Sequence, residues 1–81
     1  MPKTADPVAD ADLIALGQRL RSLRQAAGLT QEQVAEAAGL HWTYVSQIER
    51  GTRNLGYRNI VRLAEAVGVT APVLIDLEAL R

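Results

Sequence analysis

Strong hydrogen-bonding side chains recur along one short segment of the chain. Thr43 offers a hydroxyl, Gln47 an amide, and Arg50 and Arg53 guanidinium groups. Amides and hydroxyls pair with the edges of nucleic-acid bases, and guanidinium groups pair with guanine and with phosphates. This set of groups favours contact with a nucleic acid, provided that a rigid element turns the side chains outward.

The surrounding residues predict such an element. Ala35 is small enough to let a second helix approach the first, and Gly39 can adopt the positive φ that ends a helix. Val45 and Ile48 are three residues apart and share the inward face of the second helix. With Thr30 as the N-cap ahead of them, these residues predict a helix-turn-helix. The other side chains of its second helix then point outward, toward a DNA major groove.

The apolar periodicity along the whole chain predicts an all-α fold of five short helices. The predicted helices run from Asp10 or Asp12 to Ala27, from the Thr30 cap to Gly39, from Trp42 to Arg50, from near Gly56 to near Val67, and onward from the Thr70 cap. Gly17 lies inside the first helix, where it costs ~1 kcal/mol relative to Ala, and the sequence offers no reason for it other than a close contact there. Residues 1–9 contain two Pro and no periodicity, so we expect a flexible arm ahead of a single domain at 10–81.

Composition narrows the class of protein. The 81 residues contain no cysteine and no apolar run near the ~20 residues that span a bilayer, and the first residues lack a signal-peptide pattern. We therefore expect a cytoplasmic protein that does not bind membranes. No nucleophile–base pair or phosphate-binding glycine loop is evident, which argues against an enzyme. His41 stands alone, which predicts a turn or cap residue rather than a metal ligand. No metal, cofactor or small-molecule ligand is expected.

The net charge of the chain is zero, but the charged residues are unevenly distributed along it. Residues 19–62 carry seven Arg against three Glu, whereas the segments on either side each carry a net charge of −2. A basic middle between acidic ends is typical of a domain with one DNA-binding face. An ordinary mixed surface is the alternative interpretation of the same pattern.

Two segments resemble a known family. The stretch GLTQEQVAEAAGLHWTYVSQIERGTRN, followed by IVRLAEAVGV, is similar to the lambda-repressor-like (XRE/Cro-type) DNA-binding domains over about residues 12–77. Within that family, TYVSQIERGTRN looks most like the small controller proteins of restriction–modification systems. The resemblance implies a five-helix DNA-binding domain and a transcriptional regulator, for which the sign of regulation stays open.

The resemblance also implies roles for individual residues. Positions that match DNA contacts in the family are Gln31, Trp42, Thr43, Tyr44, Ser46, Gln47, Arg53 and Asn54. Gln31 would also brace the recognition helix. Arg24 and Glu49 match a partly buried ion pair between the first and third helices. Arg50 follows the recognition helix directly, so we expect it to face DNA as well.

One residue departs from the family pattern, and several roles stay open. Controller proteins usually carry Arg where this chain has Trp42; an indole cannot pair with guanine as Arg does, but it could touch a thymine methyl or pack on the protein surface. Gln47 could bond adenine through both amide atoms, or it could be solvated, and Thr43 has the same two options. Tyr44 is either a phosphate donor or a core residue. Arg19 and Arg21 fit phosphate contact and solvation equally well.

The C-terminal segment predicts a homodimer. The fifth helix offers more apolar surface than a four-helix core needs, and such surface usually meets a partner. Its residues in question are Val73, Leu74, Leu77 and Leu80. The expected partners are therefore double-stranded DNA and a second copy of the chain, acting on a palindromic operator. An antitoxin, or an adaptor that uses the same fold to bind protein, is the alternative.

Overall fold

A computed structural model describes residues 10–80, in which helices are the sole regular elements. The helices are α1 (Ala11–Ala26), α2 (Gln31–Ala38), α3 (Trp42–Glu49), α4 (Tyr57–Ala66) and α5 (Ala71–Leu74), followed by a 3-10 helix (Leu77–Leu80). The predicted all-α architecture with five helices is confirmed. None of these helices has the length and apolarity needed to cross a membrane. The arm predicted at 1–9 lies outside the described residues.

Side-chain caps explain where the first two helices begin. Asp10 accepts hydrogen bonds from the N–H groups of Asp12 and Leu13 at the start of α1. Thr30 and Gln33 form a reciprocal capping box at the start of α2, with distances of 3.0 and 2.9 Å. Such caps satisfy N–H groups that have no partner inside the helix.

The turn between α2 and α3 depends on Gly39. This residue has φ 70° and ψ 32°, the left-handed conformation that glycine adopts at little cost. Its N–H bonds back to Glu36, and the N–H of Leu40 bonds back to Ala35 at 2.9 Å, so the carbonyls at the end of α2 are satisfied. The chain can then reverse within three residues and begin α3 at Trp42.

The core lies where α1, α2, α3 and α4 meet, and α5 closes it. α2 packs on α3 and α4, while α1 packs on α3 and α5. Aliphatic side chains fill the interior, and no large aromatic side chain among the described residues is fully buried. The buried residues are Leu16, Leu20, Val34, Ala35, Ala38, Val45, Ile48, Leu63, Ala64, Val67 and Leu74.

The fifth helix is shorter than the sequence predicted. α5 ends at Leu74 because the Val73 carbonyl, which would accept from Leu77 in a continuing α-helix, is occupied elsewhere. It accepts from Arg19 Nε at 3.2 Å and Nη2 at 3.1 Å, and from the N–H of Asp76. Leu77 donates to Ile75 instead, and a 3-10 helix follows. Arg19 therefore caps α5, a role that neither of its two predicted options included.

Candidate nucleic-acid interface

An ion pair holds the recognition helix α3 against α1. Arg24 Nε donates to Glu49 Oε2 at 2.6 Å, and Arg24 Nη2 donates to Glu49 Oε1 at 3.0 Å. The two side chains are 13% and 4% exposed. The hydrogen bond to Glu49 raises the pKa of Arg24 above its ordinary value, although burial acts in the opposite direction. The Arg24 guanidinium therefore stays charged, and its two bonds to Glu49 fix the angle between the two helices.

The same carboxylate joins α2 to this arrangement. Gln31 Nε2 donates to Glu49 Oε1 at 3.1 Å, and Arg24 Nη1 donates to the Leu29 carbonyl at 2.9 Å. Glu49 thus receives donors from the first two helices at once. The contact places Gln31 as a brace of the recognition helix; its phosphate contact stays a prediction.

Two glycines allow the close approach of α1 and the end of α3. A Cβ on Gly17 would lie 2.3 Å from the Ile48 carbonyl oxygen and 2.7 Å from that of Glu49. Gly51 has φ 76°, and a Cβ there would lie 2.8 Å from Cα of Ile14. The backbones therefore touch where a larger residue would separate them, and this explains Gly17 in a helix interior.

The outward face of α3 begins with three exposed residues. His41 caps the helix, because its Nδ1 accepts from the N–H of Thr43 at 3.2 Å and lies 2.8 Å from the Thr43 hydroxyl. Trp42 is 46% exposed, and its ring stacks loosely on that of His41 with centroids 6.2 Å apart. Val45 and Ile48 are buried on the opposite face. Trp42 and Thr43 are thus available to a partner, and the indole lies outside the core.

Farther along α3, a set of polar contacts links the helix to the following loop and to α4. Asn59 Nδ2 donates to the Tyr44 hydroxyl at 3.1 Å. The Arg53 guanidinium carbon lies 4.9 Å from the centre of the Tyr44 ring, and Arg53 Nη1 donates to Gln47 Oε1 at 3.2 Å. Tyr44 is partly buried: its ring packs against the core, and its hydroxyl accepts the hydrogen bond from Asn59. Sequence reasoning missed Asn59, which had no motif to mark it.

These side chains line a polar concavity of about 560 Å³ beside the turn of the motif. Thr43 and Gln47 line it from α3, Arg53 from the loop, and Asn59 from α4. The structure thus brings together four of the predicted DNA-contacting residues, Thr43, Tyr44, Gln47 and Arg53, on one open surface. A concave polar surface beside an exposed helix suits contact with a nucleic-acid backbone and base edges.

Three further predicted contacts lie on α3 and in the loop that follows it. Ser46 is half-buried, and Arg50 is exposed just after the end of α3. Asn54 is exposed, and its side-chain oxygen accepts from the N–H of Leu55 at 2.8 Å. Arg21 is exposed as well, which fits either of its two predicted options. The DNA contacts of Ser46, Arg50 and Asn54 stay predictions.

The proposed dimer surface needs a correction. Leu74 is 1% exposed and fills the core of its own chain, so its side chain cannot meet a partner. For Leu74 the prediction was wrong, because the short α5 turns this side chain inward to close the bundle. Leu77 is half-buried against the same core, whereas Val73 and its neighbour Ile75 are 40% and 45% exposed. The Leu80 side chain lies outside the described part of the chain.

Within residues 10–80, no group of three His, Asp or Glu side chains could hold a metal ion. What these residues do form is a two-helix motif with a glycine turn, a buried inner face and a polar outer face. This arrangement defines a helix-turn-helix domain.

Comparison with known proteins agrees with that definition. Residues 15–77 match the model of a helix-turn-helix domain family. The control protein C.SmaI of Serratia marcescens is 38% identical over 66 residues, covering 82% of this chain and 79% of the relative. The chain therefore belongs to the helix-turn-helix family, in its lambda-repressor-like (XRE-type) form.

Solved structures show the same similarity. The crystal structure of the restriction-modification controller protein C.AhdI from Aeromonas hydrophila is 48% identical, with a TM-score of 0.77, and covers 79% of this chain and 97% of that one. The controller protein C.Esp1396I, solved as a tetramer in complex with its natural 35 base-pair operator, is 28% identical with a TM-score of 0.79. That match covers 86% of this chain and 93% of that one.

Proposed function

We propose that the protein is a sequence-specific DNA-binding transcriptional regulator that acts as a homodimer on a palindromic operator. The observation that carries this proposal is the braced recognition helix. Its inner face is buried through Val45 and Ile48, while Trp42 and Thr43 are exposed on its outer face. A rigid helix with a free polar face is what insertion into a major groove requires.

The relatives support a more specific role, as the controller of a restriction–modification system. C.AhdI is a restriction-modification controller protein, C.SmaI is a control protein, and the controller C.Esp1396I was solved on its operator DNA. The resemblance implies Arg where this chain has Trp42, so we expect the operator of this protein to differ in sequence from those of the controller proteins. Adjacent methyltransferase and endonuclease genes would support this role, whereas an adjacent toxin gene would favour an antitoxin.

Selection from a pool of random DNA duplexes tests the proposal. The protein should enrich a site with two-fold symmetry, because a symmetric dimer presents the same helix twice. The half-sites should be about one helical turn, ~34 Å, apart. A pool that gains no preferred sequence after repeated rounds would contradict the proposal.

The salt dependence of binding gives a second criterion. The chain has zero net charge, so its long-range attraction for DNA is weak and its basic groups act locally. Non-specific binding should therefore disappear at lower salt than binding to the selected site. A protein-binding adaptor would show no such separation between the two duplexes.

A further inference from the structure

A chain of contacts fixes the outward amide of Gln47. The Asn59–Tyr44 hydrogen bond, at 3.1 Å, joins α4 to α3 and holds the tyrosine ring. The Arg53 guanidinium lies over that ring at 4.9 Å, where the negative face of the ring attracts a cation. From there, Arg53 Nη1 reaches Gln47 Oε1 at 3.2 Å. The loop arginine is thus tied to the recognition helix at two points.

The contact with Arg53 decides which half of the Gln47 amide is available. A guanidinium carries N–H donors and no acceptor, so the Gln47 atom that faces it must be the carbonyl oxygen. Among the described residues, none accepts a hydrogen bond from Gln47 Nε2. The amide N–H₂ and the unused N–H groups of Arg53 therefore stand next to each other on the polar concavity, as a set of neighbouring donors.

Such a set matches one base better than the others. In the major groove, guanine presents two acceptors side by side, N7 and O6, whereas adenine presents the acceptor N7 beside the N6 amino donor. A free glutamine pairs with adenine by using both halves of its amide. Here an adenine amino group that approached Gln47 Oε1 would meet the donors of Arg53, and two donors repel each other.

We propose that Arg53 and Gln47 act together as a guanine-reading unit, so that Arg53 determines base specificity rather than contacting phosphate alone. This inference rests on the proposed function, because it concerns bases in the DNA site. It also reverses the adenine preference expected for Gln47 alone. Tyr44 is a positioning residue in this unit, because it holds the guanidinium in place and need not touch the base.

Selection from a random duplex pool, run in parallel on variants, tests the proposal. Gln47→Ala first identifies the base position that Gln47 reads, as the position whose preference weakens most. Wild type should require guanine at that position in each half-site. Arg53→Ala frees the Gln47 carbonyl, so the preferred base there should change to adenine, with a shift in the guanine-to-adenine ratio on the order of tenfold or more.

Arg62→Ala is the matched control, since it removes the same charge from an exposed position on α4. It should keep guanine at the same position. If Arg53→Ala also keeps guanine and merely weakens every site equally, Arg53 is a phosphate contact and the proposal is wrong.

Gln47→Glu provides a second variant in case Arg53→Ala binds too weakly for selection. Its carboxylate can still accept from Arg53, but its other oxygen is an acceptor, which suits the amino group of cytosine. Loss of the guanine preference in favour of cytosine supports the proposal, and retention of guanine contradicts it. If wild type enriches a symmetric site without guanine at this position, the inference alone fails. If wild type enriches nothing, the proposed function fails with it.

Discussion

Arg24 of α1 and Glu49 of α3 form a two-point ion pair, with N–O distances of 2.6 and 3.0 Å, in which the carboxylate is almost fully buried. Gln31 donates a third hydrogen bond to the same carboxylate. One buried side chain therefore connects three helices. The orientation of the recognition helix depends on this connection, because α3 spans just Trp42–Glu49 and is short on its own.

Replacing Glu49 should lower the stability of the domain even without DNA. Glu49→Ala leaves the Arg24 guanidinium largely desolvated and without its partner, which costs ~3–5 kcal/mol for a buried pair. Domains of this size have on the order of 5–15 kcal/mol in total, so the melting temperature should fall by roughly 10 °C or more. Thermal unfolding followed by circular dichroism measures the change.

A control variant and a double variant show whether the loss of stability comes from breaking the Arg24–Glu49 ion pair or from removing any carboxylate. Glu36→Ala removes an exposed carboxylate from α2 and should change stability by less than ~0.5 kcal/mol. Replacing Arg24 and Glu49 together with apolar residues should cost less than Glu49→Ala, because no buried charge is left unpaired. If Glu49→Ala melts like wild type yet loses affinity for DNA, Glu49 acts at the DNA surface instead.

Gly17→Ala should destabilise the domain, against the usual preference of helices. Alanine gains ~1 kcal/mol over glycine inside an exposed helix. At Gly17, however, the added Cβ would lie 2.3 Å from the Ile48 carbonyl oxygen, so α1 and α3 must move apart. Overpacking of this kind costs ~1–3 kcal/mol. Urea unfolding measures the outcome, and Gln18→Ala, at the exposed neighbouring position, should be nearly neutral. An increase in stability for Gly17→Ala would show that the helices are not in close contact.

Substitutions next to each other in sequence should separate dimerisation from folding. Ile75→Asp changes an exposed apolar side chain, so the variant should fold but sediment as a monomer and bind the operator weakly. Leu74→Asp buries an unpaired charge in the core and should unfold the domain instead. Sedimentation and circular dichroism distinguish the two results. An Ile75→Asp variant that dimerises like wild type would place the interface elsewhere.

Thr43→Ala should reduce affinity selectively. Losing the base contact of Thr43 should reduce the binding free energy by ~1–3 kcal/mol on the selected operator and by much less on random DNA. Trp42→Ala is the companion variant, because the indole is exposed and carries little of the core packing. A selective loss in Trp42→Ala shows that the indole reads a base or a thymine methyl. If a variant loses affinity equally for the operator and for random DNA, the replaced residue contacts the DNA backbone and not a base.

Arg50→Ala should weaken binding to all sequences alike. The residue is exposed just after α3, where a guanidinium meets phosphate more readily than a base edge. Removing one phosphate-binding guanidinium should reduce the slope of log K against log salt concentration by ~0.9 per subunit. Fluorescence anisotropy at several salt concentrations gives that slope. An unchanged slope would remove Arg50 from the DNA surface.

The sequence predicted the parts of the fold that depend on local signals. The Thr30 cap and the Gly39 turn place the ends of α2 within one residue of the observed Gln31–Ala38. The alternation of Val45 and Ile48 with polar residues predicted which face of α3 is buried. These signals act within one or two helical turns, so a single sequence is enough to interpret them.

The features that the sequence did not predict depend on contacts between distant residues. The end of α5 follows from Arg19, which lies 54 positions before the Val73 carbonyl that it caps. The hydrogen bond from Asn59 to Tyr44 forms because α4 lies beside α3 at this point, and the contact of Arg53 with Gln47 forms because the loop folds back on α3. The inward turn of Leu74 has the same origin, since an apolar residue in a short helix could face either way.

The ratio of affinities for two duplexes tests the central claim most directly. The first duplex carries the selected site, and the second has the same composition with both half-sites scrambled, at one fixed salt concentration. A regulator that reads base edges through α3 should bind the first duplex ~10³-fold or more tightly. A ratio near one would show that the basic surface binds DNA without reading it, and would contradict the proposed function.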